Sequence, residues 1–255
     1  ACEGFQTNAL RAFSSNLDVD HPEAVLAAHE QCSQLGIDVD MAAAVLGWSF
    51  DLYERGILTD GDTDGLELRW GNHKVISPLL HQIAHRQGFG ALLSDGVMRA
   101  AKELGRGSEA YALHIKGADM NEQGLRWNKS WAFGIVTSTK GGGHLDGAPE
   151  ASFWGIPPDI GKRTFGVESA GDPDAYAPNA ELVLWHESFK AVIDAVGLCY
   201  FLTYYQAPDV IGPGEVEALL ATATGDERST EELMKVGERI HNLGKAFNTL
   251  HAGFT

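Results

Sequence analysis

Two stretches of this 255-residue chain carry residues whose types and spacing could do chemistry. In "KAVIDAVGLCYF" (190–201), Asp194 and Cys199 stand five positions apart, where a helical pattern runs into the turn residues Gly197 and Leu198. A cysteine thiolate at a turn is a ligand for iron or zinc when nearby backbone N–H groups stabilise its charge. An aspartate just before it can accept hydrogen bonds from an amine-rich heterocycle. A single cysteine makes no metal site, and a free cysteine commonly packs as a small apolar side chain, so the residues alone leave both readings open. In "TSTKGGGHLDG" (137–147), Gly141, Gly142 and Gly143 allow close approach of backbone to a ligand, and His144 and Asp146 follow at once. His144 could donate a proton, ligate a metal or stabilise an oxyanion; the alternative is a solvated hairpin tip. The spacing is not that of a phosphate loop.

The remaining candidates are weaker. His29, His81 and His85 fall on helical patterns, and His81 and His85 share a face at metal-ligand spacing. The glutamate of an H-E-x-x-H pattern is absent between them, which favours a solvated or interfacial pair. Cys2, Cys32 and Cys199 are odd in number and scattered, as in a reducing, cytoplasmic compartment without a disulfide framework. A net charge of −16 with no Lys/Arg run argues against a nucleic-acid partner. No apolar stretch approaches the roughly 20 residues that span a bilayer.

Helical signals must position these residues. Residues 20–36 read as a helix capped by Asp20, with Pro22 in its first turn and Gly36 as its stop. A second runs from Asp40 as cap to Gly56, and two more lie in 73–88 and 89–105, closed by Gly88 and Gly105. Residues 106–178 read as largely irregular, with strand character in "AYALHIKG" and "LRW". Helices resume at 179–196 and at 229–250, the last with Ser229 and Glu232 at capping-box spacing. The fold class this implies is mainly α, in two helical domains, 1–113 and 114–255. The alanine start and the abrupt end after a strong helix suggest part of a longer polypeptide, or one polypeptide of an assembly.

Taken in order, five stretches resemble the tungsten-containing aldehyde ferredoxin oxidoreductase family, over nearly the whole chain. "CSQLGIDVDMAAAVLGWSFDLYERGIL" resembles its Cys-x-x-Leu-Gly-(Leu/Ile)-Asp segment and the helix that follows. "GFGALLSDGVMRAAKELGRGSEAYALHIKG" resembles its Gly-x-Gly…His-x-Lys-Gly segment, and "TSTKGGGHLDG" its Thr-Ser-x-(Arg/Lys)-Gly-x-x-His loop. "DAVGLCYF" is similar to its second pterin motif, Asp-x-x-Gly-Leu-Cys, and "GERIHNLGKAFNTLHAGFT" to its last long helix.

The resemblance implies the family's two C-terminal helical domains, without the N-terminal pterin-binding domain. It implies a tungsten bis-pterin cofactor of the molybdopterin type and a [4Fe–4S] cluster, and it allows for magnesium. Asp38 and Asp194, with Gly197 and Leu198, would contact pterin, and Cys199 would ligate the cluster. Cys2 would be the last cysteine of the family's cluster motif, and His144 would act near the metal in proton transfer or substrate orientation. The implied activity is aldehyde/carboxylate interconversion, with a ferredoxin or iron–sulfur subunit as electron partner, an N-terminal pterin-binding domain or chain beside it, and an oligomeric assembly. Acyl-CoA or other reductases of the family, and a non-catalytic electron-transfer or structural homologue, are the alternatives. The chain departs from the family at Ser33, where the first pterin motif has aspartate, and at Asn8, near a position often held by glutamate. "ADMNEQGLRW" replaces the usual Asp-Pro-Arg after Lys-Gly.

Overall fold

The computed structural model describes residues 4, 6–120, 124–177 and 179–253, so Cys2 lies outside the described residues. The fold is mainly α; the only paired strands described are two residues each. The chain divides into two compact units, 1–123 and 124–255.

In the first unit, α1 (Thr7–Leu10) runs into a π-turn at Arg11–Ser15. Then come α2 (Pro22–Leu35), α3 (Val39–Glu54), α4 (Ile76–His85), α5 (Gly88–Leu93) and α6 (Val97–Leu104). A minimal antiparallel hairpin, β1 (His114–Ile115) and β2 (Ala118–Asp119), closes the unit. Phe13, Leu17, Leu46, Phe50, Leu79 and Leu80 are fully buried in its core.

The helix ends differ from the sequence expectation in instructive ways. His21 rather than Asp20 caps α2, its ring nitrogen accepting from the Ala24 N–H at 3.2 Å. Asp38 rather than Asp40 caps α3, accepting from the Met41 N–H at 2.9 Å. Asp40 falls in the first turn, where a negative charge still suits the positive helix end. Helix α4 stops one turn before Gly88 because Arg86 takes the left-handed position (φ 49°), and its guanidinium pairs with Asp95 at 2.7 Å. Residues 89–105 are not one helix. Gly96 (φ 86°) turns the chain between α5 and α6, and the buried Asp119 carboxylate accepts from the Val97 N–H at 2.9 Å. That contact ties the hairpin to the first unit. Neither "LRW" segment, 68–70 or 125–127, is a strand.

The second unit contains α7 (Lys129–Thr137), α8 (Pro158–Phe165), α9 (Asn179–Val196), α10 (Pro213–Thr224) and α11 (Thr230–Ala252). The stretch 106–178 is thus only partly irregular. Asn128, fully buried, caps α7 by accepting from the Trp131 N–H at 3.0 Å. Helix α10, absent from the sequence reading, opens on Pro213 with the Glu215 carboxylate accepting from the Gly212 N–H at 2.9 Å. The capping box of α11 forms as its spacing implies, the Ser229 N–H donating to Glu232 at 2.9 Å.

Helices α9 and α11 meet backbone to backbone. A Cβ at Gly237 would lie 2.0 Å from the Ser188 carbonyl oxygen, so only glycine allows this approach. Gly237→Ala is expected to lower stability by about 1–3 kcal/mol through overpacking. Chemical denaturation of the variant against the parent checks this; an unchanged midpoint would mean the two helices can separate without cost.

Candidate functional site

The Asp194–Cys199 segment is the C-terminal stop of α9. Gly197 takes the left-handed conformation (φ 76°) and the Leu198 N–H reaches back to the Ile193 carbonyl at 3.1 Å. This i→i−5 closure ends the helix and throws the next residue into extended backbone. Cys199 has φ −74° and ψ 124°, and its side chain is exposed.

The same construction stands at the end of α2 in the first unit. Gly36 has φ 69°, the Ile37 N–H reaches back to the Cys32 carbonyl at 2.9 Å, and Asp38 has φ −66° and ψ 129°. Exposure also matches position by position: Ser33 and Asp194 are exposed, Ile37 and Leu198 half-buried, Asp38 and Cys199 exposed. The two turns therefore share one helix-stop construction, which also ends α3 at Gly56 (φ 71°, Ile57 N–H to the Leu52 carbonyl at 2.9 Å), and only the glycine is identical between their sequences. Their chemistry differs. The first offers a hydroxyl and a carboxylate, with Ser33 Oγ donating back to the His29 carbonyl at 3.0 Å. The second offers a carboxylate and a thiol, with Asp194 paired to the Lys190 ammonium.

Cys32 packs as a core side chain. It is fully buried, and desolvation, with the Asp38 charge as a smaller cause, pushes its thiol up to about 12.

Behind Cys199 lies a support the sequence reading missed. His186, Lys190 and Asp194 follow one another at i, i+4, i+8 along α9, and Tyr200 folds back over them. The Tyr200 hydroxyl is 3.3 Å from His186 Nδ1, and the Lys190 ammonium lies 5.5 Å from the Tyr200 ring centroid. Tyr200 stacks on the fully buried Tyr205 (4.4 Å, 24°), whose hydroxyl donates to Glu150 at 2.9 Å. Burial pushes both phenols up, so they act as neutral donors. Burial also pulls His186 from 6.5 down to about 3, keeping its ring uncharged, and its Nε2 is buried without a hydrogen-bond partner.

The glycine loop is structured, not a solvated tip. His144 is 7 % exposed and stacks on Trp131 (4.8 Å, 23°). Gly141 and Gly142 take positive φ, as only glycine does freely. Ser138 Oγ accepts from the Gly141 N–H at 2.8 Å, and Asp146 accepts from Thr139 Oγ1 and the Lys140 N–H at 3.3 Å each. Asp146 is thus a brace for the loop. Gly147 (φ 118°) presses onto α9, where a Cβ would lie 2.6 Å from Glu187 Cα. From α11, Lys245 donates to the Thr137 carbonyl and Asn248 to the Thr139 carbonyl. The buried pair His241–Glu187 (3.2 Å) joins α11 to α9 below the loop.

Other expected residues lie elsewhere. His81 and His85 are exposed and stack on each other (4.2 Å), with His85 Nδ1 held at 2.9 Å from the His81 carbonyl. Asn8 accepts from Arg11 at 2.8 Å. Among the described residues, no group of three or more His, Cys, Asp or Glu is arranged to hold a metal ion. Any metal centre therefore needs ligands from a cofactor or from residues beyond those described. No helix among them is long and apolar enough to cross a membrane.

The family model "Aldehyde ferredoxin oxidoreductase, domains 2 & 3" matches residues 2–255. The chain belongs to the aldehyde ferredoxin oxidoreductase family. Tungsten-containing aldehyde ferredoxin oxidoreductases of Thermococcus kodakarensis and Pyrococcus abyssi are 29% and 30% identical to it over 253 and 255 residues, 98% of this chain in each case. The chain spans 39% of the length of these relatives. An aliphatic sulfonate oxidoreductase, WOR-like subunit, of Pyrococcus furiosus is 34% identical over 140 residues, covering 52% of this chain and 22% of that protein. The active-site complex BamBC of benzoyl coenzyme A reductase has the same fold, with a TM-score of 0.76 over 97% of this chain and 42% of that one at 23% identity. In this aldehyde ferredoxin oxidoreductase family member, the spacing of His186, Lys190 and Asp194 was the signal for the α9 support. Lys245 and Asn248 had no comparable signal, because their partners are carbonyls more than 100 residues away.

The His186 environment carries a pH prediction. Its folded-state pKa is depressed, so its contribution to stability is fully present above about pH 6.5 and is lost as pH falls towards 3. Unfolding free energy is expected to decline across that window, and His186→Phe is expected to flatten the decline. Denaturant titrations of both proteins across the window check it; parallel curves would contradict it.

Proposed function

We propose that the chain is the helical part of a tungsten-pterin, iron–sulfur oxidoreductase, and that its default reaction interconverts aldehydes and carboxylates. The observation that supports the reading is the pair of exposed carboxylates, Asp38 after the Gly36 turn and Asp194 before the Gly197 turn, each an acceptor of the kind a pterin ring needs. Asp38 and Asp194 are exposed carboxylates beside an open glycine, where nothing lies within 4 Å of an added Cβ at Gly36 or Gly197. That space and charge suit the N–H-rich edge of a pterin, with Gly197 and Leu198 lining the second turn. Cys199, exposed at its turn, suits one ligand position of a [4Fe–4S] cluster. Such a cluster takes four cysteines, so the remaining ligands come from outside the described residues, Cys2 among them. When bound, the metal-pterin group supplies the two-electron chemistry and the cluster passes single electrons.

The work of this chain's own residues is positioning and proton handling. Trp131 holds the His144 ring flat, and the braced loop keeps it out of bulk water. His144 then holds or moves the proton that accompanies oxygen-atom and electron exchange at the substrate carbon. Electrons leave to a ferredoxin or iron–sulfur subunit, and the net charge of −16 favours a partner with a basic docking face. The N-terminal pterin-binding part, whether domain or separate chain, completes an oligomeric cytoplasmic enzyme.

A second reading, a reductase of the same family acting on an acyl-CoA or another oxo substrate, is favoured by Asn8, near a position often held by glutamate, and by "ADMNEQGLRW" in place of the usual Asp-Pro-Arg after Lys-Gly. His144→Asn in the native assembly is expected to lower kcat by about 10²–10⁴-fold, the usual contribution of general acid–base catalysis, with tungsten and iron content unchanged. Aldehyde oxidation coupled to a viologen dye reads this out. Full activity of the variant would remove His144 from the reaction, and a fully loaded parent inert towards all aldehydes would favour the second reading.

A further inference from the structure

Helix α11 changes character halfway along, in a way the proposed function does not use. Residues 230–239 carry five charged side chains, as an exposed helix should, whereas 240–253 hold no Asp or Glu and a single lysine, Lys245. The side of this second half that packs on the rest of the unit is polar. His241 meets Glu187, and Lys245 and Asn248 donate to the carbonyls of Thr137 and Thr139. Its apolar residues stand outside: Leu243, Phe247 and Leu250 are 73 %, 60 % and 80 % exposed, and Ile240 is 44 % exposed. They recur at i, i+3, i+7 and i+10, the spacing of the seam between two paired helices. His251 packs against the Phe247 ring at 4.4 Å and steadies it within that seam.

We propose that residues 240–250 of α11 pair antiparallel with the same residues of a second copy of this chain, in a twofold contact. The spacing itself favours a copy as the occupant, because the seam is self-complementary. A twofold axis at the level of Lys245 sets Ile240 opposite the partner's Leu250 and Leu243 opposite the partner's Phe247, so every exposed apolar residue gains an apolar neighbour. Ala246, exposed beside the seam, adds no bulk that would hold the helices apart. Charge points the same way. A chain of net charge −16 repels its own copy over most of its surface, and an acid-free stretch is where two such surfaces can meet. Size then sets the strength. Eleven helical residues span roughly 16 Å, about three turns, which puts the contact at the low end of specific interfaces, below about 1,200 Å². The dimer therefore forms and parts with protein concentration.

The test is sedimentation velocity of the native assembly containing this chain over a concentration series, for the parent, Leu243→Glu, Leu243→Lys and Phe247→Glu. The parent is expected to move from one copy of the chain per particle to two as concentration rises. Leu243→Glu is expected to raise the dissociation constant about tenfold or more, since the charge enters a twofold contact twice and faces an apolar ring. Leu243→Lys and Phe247→Glu are each expected to weaken association alone and to restore it when mixed, because the antiparallel register sets 243 of one copy against 247 of the other. A merely structural role would give no rescue on mixing. Should any of these variants fail to fold by circular dichroism, Leu250→Glu, at the most exposed position, carries the same expectation as Leu243→Glu. A parent that keeps one copy per particle at every concentration, a dimer indifferent to Leu243→Glu, or no rescue in the mixture would overturn the inference. Release of the N-terminal part or of another chain by Leu243→Glu would also overturn it, and would assign the seam to that chain instead.

Discussion

One backbone constraint underlies both turns of this protein: a helix must stop in a left-handed glycine and fold its next N–H back five residues. At Gly36 and Gly197 this closure removes the helix's own side chains from the end and leaves an extended residue, Asp38 or Cys199, standing outward. A residue with a Cβ at either glycine would be strained in that conformation even though space is open around it. The glycine stops at Gly56, Gly166 and Gly225 share the open space and the positive φ, so the residue types that follow, rather than the backbone, set Gly36 and Gly197 apart. At the stop of α4 the same closure forms, from the Gln87 N–H to the Gln82 carbonyl at 2.9 Å, with Arg86 in the left-handed position and paired to Asp95.

In the second unit the turn is positioned by contacts along α9. His186 faces the tyrosine pair, Glu187 faces the glycine loop and α11, and Ser188 lies against Gly237. Three successive residues thus register the cysteine turn, the His144 loop and the last helix against one another. The cost of burying a neutral histidine with an unpartnered nitrogen is accepted in the middle of this arrangement. A polar group retained at such a cost fits a requirement for one specific placement of Tyr200 rather than for stability alone.

Much of this was legible in the sequence, for identifiable reasons. The mainly α fold followed from helical periodicity, and the Ser229–Glu232 cap from its local spacing. The family followed from motifs in the right order. Helix boundaries were less legible, since Asp20 and His21, or Asp38 and Asp40, are competing caps that only tertiary packing decides. Helix α10 was missed because its start, Gly212–Pro213–Gly214, reads as a loop until Glu215 is seen closing on the Gly212 N–H. The burial of His144 was invisible because it stacks on Trp131 of α7, and the α11 donors that brace its loop are distant in sequence. The correspondence of the two turns was legible through the family's two pterin motifs, although within this chain Ser33 stands opposite Asp194 and Asp38 opposite Cys199.

The measurement that bears most directly on the central claim is a joint analysis of tungsten, molybdenum, iron and pterin in the anaerobically purified native assembly containing this chain. The account predicts one tungsten with two pterins and about four irons per assembly unit. A well-folded assembly that includes its N-terminal part and contains neither tungsten nor molybdenum nor pterin would contradict it, and would leave the two glycine turns as scaffold without a ligand.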